Sequence, residues 1–216
     1  MEAIQKIAVI GGGGRTGKYI VDQLLQKGFS LRLLLRNPNT FTIQDPLIEI
    51  IHGDVLDEKI VNVLIEGCQA VISTVGQRKD EPLVASRGAK NVISAIQKQQ
   101  ISAGKVRYIL LAGLNVDTLF DKKSPETQKA TAWMKETFPA IHEDRQKSYA
   151  ILEASDVDWT LVRVPCIEFS DEKGNVKVDP EDCPGSKISA GDIARFMIGQ
   201  LMDNTYLRQA PFIAGF

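Results

Sequence analysis

At 216 residues the chain is long enough to bury one full-sized core and too short for two independent ones. A net charge of −1, with 25% charged and 44% hydrophobic residues, is ordinary for a globular protein and gives no electrostatic reason to expect nucleic acid or an anionic membrane as partner. Cys68, Cys166 and Cys183 are widely spaced with no C-x-x-C, and His52 and His142 complete a poor ligand set, so neither a disulfide framework nor a metal centre is expected. Met1-Glu2-Ala3-Ile4 lacks the basic segment and long apolar core of a signal peptide, and no apolar run approaches a membrane span. A cytoplasmic location follows as the expectation.

The first predicted element is a strand, Lys6-Ile7-Ala8-Val9-Ile10, that empties into Gly11-Gly12-Gly13-Gly14-Arg15-Thr16-Gly17-Lys18 and then a helix with Tyr19, Ile20, Leu24 and Leu25 at helical spacing. Glycines 12, 14 and 17 satisfy G-x-G-x-x-G, and 11, 14 and 17 satisfy G-x-x-G-x-x-G. Such a turn lets backbone N–H groups and the positive end of a helix dipole approach a dinucleotide pyrophosphate, which a side chain would hold away. Gly12 to Lys18 also reads G-x-x-x-x-G-K, but the P-loop needs Ser or Thr next to hold magnesium, and Tyr19 cannot. The second strand, Ser30-Leu31-Arg32-Leu33-Leu34-Leu35, ends in Arg36, where this kind of fold places its ribose-reading residue. An acid there favours NAD; arginine suits the 2′-phosphate of NADP, and Arg15 offers a second cation. The alternative for both arginines is a solvated surface charge.

A third strand is expected at Leu47-Ile48-Glu49-Ile50-Ile51, a helix at 57–65, a fourth strand at Ala70-Val71-Ile72-Ser73-Thr74, a helix at 82–99 and a fifth strand over 106–112. Residues 124–155 read as helix broken at Phe138-Pro139, because proline costs about 3 kcal/mol inside a helix. Trp159-Thr160-Leu161-Val162-Arg163-Val164 gives a sixth strand closed by Pro165. The pattern over 166–189 degrades into an expected hairpin around Lys173-Gly174-Asn175 and a turn at Pro184-Gly185, and this segment is expected to form a lid over the substrate side. A final helix burying Ile193, Phe196, Met197 and Leu201 and an edge strand at 210–214 complete one doubly wound α/β domain over 1–216, mainly parallel, with helices on both faces.

These motifs in this order resemble the atypical short-chain dehydrogenase/reductases. The residues that carry the likeness are the glycine turn, Arg36, Gly53-Asp54-Val55-x-Asp57, Ala70 to Gly76, and Asp158-Trp159-Thr160-Leu161-Val162-Arg163-Val164-Pro165. Size and C-terminal pattern are similar to the NmrA-like and biliverdin reductase B (flavin reductase)-like members. The resemblance implies a Rossmann fold and a cofactor site in which Gly11, Gly12, Gly14, Arg15, Thr16 and Gly17 of the turn bind the dinucleotide and Asp54 and Val55 contact adenine. Thr74, Val75 and Gly76 would line the nicotinamide ribose, and Pro165, Cys166 and Ile167 the nicotinamide. Asp54 alternatively caps the helix near Asp57, Thr74 finishes a buried strand, and Cys166 is a small thiol with no activating neighbour in sequence.

The chain departs from that family at the proton donor, a tyrosine four residues before a lysine with a serine after the fifth strand. Tyr19, Tyr108, Tyr149 and Tyr206 are followed four residues on by Gln23, Ala112, Glu153 and Ala210. The serine position falls on Leu111-Ala112-Gly113. On the helix that would carry the dyad stand Ile141, His142, Arg145, Lys147 and Tyr149, of which His142 and Tyr149 are the candidate catalytic groups. The expected activity is NADPH-dependent hydride transfer to a small acceptor such as a flavin or quinone, which water can protonate. The alternative is a non-catalytic NADP-binding sensor of the NmrA type. No G-x-S-x-G elbow points to a hydrolase, and the oligomeric state stays open between monomer and dimer.

Overall fold

A computed structural model describes residues 4–77, 81 and 83–216, without the side chains of 101–103. Strand β1 (Lys6–Ile10) runs into the glycine turn and α1 (Gly17–Gln26), followed by β2 (Ser30–Leu35) and β3 (Ile48–His52). Helix α2 (Glu58–Ile65) starts where Asp57 accepts hydrogen bonds from the N–H groups of Lys59 and Ile60, and it buries Val61, Leu64 and Ile65 at i, i+3 and i+4. Strand β4 (Ala70–Ser73), α3 (Ala85–Ala103) and β5 (Arg107–Gly113) follow. The expected start of α3 at Pro82 lies outside the described residues.

The break at Phe138-Pro139 divides α4 (Pro125–Thr137) from α5 (Pro139–Glu153), and Phe138 bounds both. Each helix carries proline in its first turn, where a missing N–H costs nothing. After β6 (Asp158–Val164) come β7 (Cys166–Glu168), β8 (Val176–Asp179), β9 (Lys187–Ser189), α6 (Ala190–Gly199) and β10 (Phe212–Gly215).

The main sheet has the order β3-β2-β1-β4-β5-β6-β10-β8, parallel except for β8, which runs antiparallel to β10. Helices α2, α3 and α5 cover one face and bury Leu64, Ile96 and Leu152 against it, while α1 and α6 cover the other with Ile20, Leu24, Ile193 and Met197. The winding reverses between β1 and β4, so a crevice opens there at the carboxyl ends of the strands. This is the expected doubly wound Rossmann fold. Among the described residues no helix is long and apolar enough to cross a membrane.

Three local expectations fail. Lys173-Gly174-Asn175 makes no hairpin: β7 pairs in parallel with β9 in a separate two-stranded sheet, while β8 joins the main sheet through β10. The residues between are fastened to the start of α6 rather than to each other. Asp192 Oδ2 accepts from Gly174 N at 3.1 Å, and Glu172 O accepts from Ser189 Oγ and Arg195 Nη2 at 2.9 Å each. The C-terminal strand is not an edge. Phe212, Ile213 and Ala214 are wholly buried, as an inner strand demands, and the half-polar β8 takes the edge instead. Phe196, expected in the core, is only half buried.

Candidate functional site

A cleft of about 1470 Å³ lies along the carboxyl ends of the parallel strands. Thirteen of the fifteen expected cofactor residues line it: Gly11, Gly14, Arg15, Thr16, Arg36, Asp54, Val55, Thr74, Val75, Gly76, Pro165, Cys166 and Ile167. Gly12 and Gly17 do not, because they pack the turn itself. A Cβ on Gly17 would stand 2.0 Å from the carbonyl oxygen of Gly11, and one on Gly12 would stand 3.1 Å from Val21. Gly11 adopts φ +86°, and its carbonyl oxygen accepts from Gly14 N at 2.9 Å and from Thr74 Oγ1 at 3.3 Å, tying the turn to the end of β4.

Among the described residues no protein acceptor takes the N–H groups of Gly13, Arg15 or Thr16. Thr16 gives α1 no side-chain cap, and the first turn of the helix carries no acid. The positive end of the α1 dipole therefore meets unspent donors, which is the chemistry of an anion site.

At the far edge, Arg36 already holds a carboxylate. Its Nη1 and Nη2 lie 2.6 Å and 3.2 Å from the two oxygens of Glu81, with Asp54 Oδ2 at 3.8 Å. The Glu81 hydrogen bond holds the Arg36 guanidinium above its ordinary pKa. Asp54 does not cap α2, since Asp57 does; it accepts from Leu56 N at 2.9 Å. Arg15 stacks its guanidinium 4.4 Å over the ring of Phe169, joining the glycine turn to the segment after β6. Within 166–189 the residues that reach the cleft are Cys166, Ile167, Phe169 and 183–186, whereas 171–175 face α6. Cys166 is exposed, not buried.

Neither candidate catalytic group lines the cleft. The Tyr149 hydroxyl donates to Glu153 at 3.3 Å while its ring meets Trp159 edge-on at 6.1 Å. Burial, with Glu153 second, pushes the phenol up to about 12, away from proton donation at neutral pH. His142 is buried with Nδ1 3.2 Å from Asn115 Nδ2. Among the described residues of α5, the side chain that does line the cleft is Arg145.

Sequence reading missed several groups. Asn115 follows β5 into the cleft, and α4 presents Glu126, Thr127, Ala130, Trp133 and Met134 to it. Their spacing of three and four is a helical face, but α4 covers no sheet, so the pattern carried no core signal. Behind them Arg163, wholly buried on β6, bonds both oxygens of Asp121 at 2.8 Å, Val116 O at 2.9 Å and Ala210 O at 2.7 Å, and stacks 3.4 Å over Phe212. That cluster fixes the loop between β5 and α4.

Comparison with known proteins agrees with this geometry. The NAD(P)H-binding family matches residues 11–204. An uncharacterised chloroplastic protein of Arabidopsis thaliana is 25% identical over 215 residues, covering 95% of this chain and 73% of its own. An oxidoreductase of Pestalotiopsis microspora is 27% identical over 208 residues, covering 88% and 77%. Among solved structures, a short-chain dehydrogenase/reductase from Veillonella parvula in complex with NADP superimposes with a TM-score of 0.80 at 13% identity, covering 98% of this chain and 95% of the other. An anaerobilin reductase from Escherichia coli O157:H7 superimposes with a TM-score of 0.79 at 16% identity, covering 98% and 97%. The glycine turn, the uncapped helix and the cleft at the strand ends thus sit in a chain that belongs to the NAD(P)H-binding family, with the Rossmann fold of the atypical short-chain dehydrogenase/reductases.

Proposed function

We propose that this protein is an NADPH-dependent reductase that passes hydride to a small, electron-poor acceptor such as a flavin or quinone. The observation that carries the reading is a family-type dinucleotide cleft that neither Tyr149 nor His142 lines, the phenol being engaged by Glu153 and the imidazole by Asn115. An oxidoreductase and an anaerobilin reductase among the similar proteins support the reaction class. NADP is the preferred cofactor because Arg36 ends β2 on the cleft wall, where an arginine matches a 2′-phosphate. The whole chain acts as one domain in this account. Pro165 to Phe169 and 183–186 cap the nicotinamide side, and the tie between Arg15 and Phe169 closes that cap onto the phosphate turn. A reducing compartment such as the cytoplasm suits three unpaired cysteines.

The cofactor supplies the hydride; the chain orients it and excludes water. Lack of a general acid forfeits about 10²–10⁴-fold for a carbonyl, whose oxygen must be protonated as hydride arrives. A quinone or flavin delocalises that charge and takes its proton from solvent. Steady-state NADPH oxidation with a panel of quinones, flavins, azo dyes, aldehydes and ketones tests this, with turnover of the first classes and negligible turnover of simple carbonyls expected. The same empty acid position also fits an NADP sensor. Tight NADPH binding with no turnover of any acceptor would replace the reductase reading by that one.

A further inference from the structure

Among the described residues three arginines line the cleft, and two of them are engaged: Arg15 on the Phe169 ring and Arg36 on Glu81. The third, Arg145, has no hydrogen bond, ion pair or ring contact among the described residues. Its neighbour Asp144 is spent on the start of α3, accepting from Ala85 N at 2.7 Å, from Ser86 N at 3.3 Å and from the Ser86 hydroxyl. The buried arginines of the sheet are satisfied, Arg163 by Asp121 and three carbonyls, Arg107 by two carbonyls and the Thr160 hydroxyl. Arg145 is half-buried with its guanidinium open to the cleft, and partial burial lowers its pKa against the supporting field of Asp144. A cation on a cleft wall, partly shielded from water and bonded to no protein group among the described residues, is free to take a negative charge that arrives in the cleft.

Arg145 also flanks a narrower pocket of about 30 Å³ beside Ala112, Ser73, Tyr108 and Ser148, at the ends of β4 and β5 and so next to the expected nicotinamide side. A guanidinium holds its proton too firmly to act as a general acid, but it donates hydrogen bonds to an anion in fixed geometry.

We propose that Arg145 is a catalytic residue that binds the negative charge developing on the acceptor during hydride transfer. This rests on the reductase reading and names the group that replaces the missing acid. The C4–H bond of the dihydronicotinamide breaks with its electron pair and a new bond to hydrogen forms on the acceptor. NADPH is oxidised to NADP⁺, and the acceptor is reduced to an anion whose oxygen or nitrogen takes hydrogen bonds from Arg145. Solvent water then protonates that anion. Acceptors able to spread the charge onto such an atom are thereby favoured over simple carbonyls.

The test compares wild type with Arg145→Met, Arg145→Lys and Arg145→Ala in single-turnover reduction of menadione by bound NADPH. Arg145→Met is expected to slow hydride transfer about 100-fold with NADPH affinity changed less than about twofold, and Arg145→Lys to retain more of the rate. Millimolar guanidinium ion should restore part of the rate to Arg145→Ala, which a merely structural role would not permit. A wild type that reduces menadione alongside an equally fast Arg145→Met overturns this inference alone. A loss of NADPH affinity that accounts for the loss of rate overturns it too, by making Arg145 a cofactor-holding group. A wild type inert towards every acceptor removes the reductase reading and this inference together.

Discussion

Arg36 meets its cofactor with a carboxylate already in hand, and the 2′-phosphate must displace Glu81 to reach it. Both side chains are about a third exposed, so the pair is a modest internal competitor rather than a lock. NADP(H) is expected to bind at least about tenfold tighter than NAD(H), or about 1.4 kcal/mol. Glu81→Gln should tighten NADP(H) about fivefold and leave NAD(H) unchanged, while Arg36→Ala should erase the preference. Calorimetry on the three proteins checks this, and a wild type with equal affinities would refute the role given to Arg36. At this scale the glycine turn was legible because strand, glycine spacing and helix coincide in one stretch of sequence. Arg145 was not: it stands between exposed Glu143 and Lys147, and composition cannot tell which charge on a helix turns inward. Tyr149 misled for the converse reason, since its apolar ring was needed against Trp159.

At the scale of elements, what the sequence concealed is long-range. The residues of β8 carry no sign that they pair with β10, and the link runs through contacts of 171–175 with α6 that are distant in sequence. Arg163 likewise reads as an interruption of an apolar strand until Asp121, the carbonyl of Ala210 and the Phe212 ring close around it. Arg163→Met leaves Asp121 with Lys123 at 3.6 Å as its nearest cation, beside the hydrogen bonds from Thr118, so it should cost about 3 kcal/mol and lower Tm by roughly 10 °C. Thermal unfolding within a degree or two of wild type would show that the cluster is dispensable. On the opposite edge, Glu49 of β3 bonds Arg32 Nε at 2.7 Å and Nη2 at 2.8 Å and Lys6 Nζ at 3.1 Å, joining three strands. The Arg32 hydrogen bond, aided by Lys6, holds the carboxyl down at about 2. Depressed below its unfolded value of 4.5, it contributes stability above that pH and loses it as pH falls towards 2. Glu49 is nearly half exposed although Arg32 is largely covered, so the gain is about 0.5 kcal/mol after screening. Glu49→Gln should flatten the acid limb of a stability–pH curve by about that amount, and curves of identical slope would discount the bridge.

For the whole molecule, seven parallel strands converge on one crevice, and elements far apart in sequence supply its walls: the turn after β1, the ends of β2 and β4, the loop after β5, α4, and both arms of 166–189. The strand order that makes this crevice follows from strand–helix alternation, which is why the cofactor half of the site was readable. The substrate half depends on α4, whose helical face covers no sheet, and on the fastening of 166–189, where no periodicity speaks. The central claim is that this crevice holds NADPH and gives up its hydride without a side-chain acid. Single-turnover absorbance of the bound dihydronicotinamide, mixed with a quinone and repeated with each C4-deuterated diastereomer of NADPH, addresses it most directly. The account predicts a saturable decay, a primary isotope effect with one diastereomer only, and rates for His142→Ala and Tyr149→Ala within about tenfold of wild type. Bound NADPH that persists unchanged with every acceptor, or a thousandfold loss in either variant with cofactor binding intact, would contradict it.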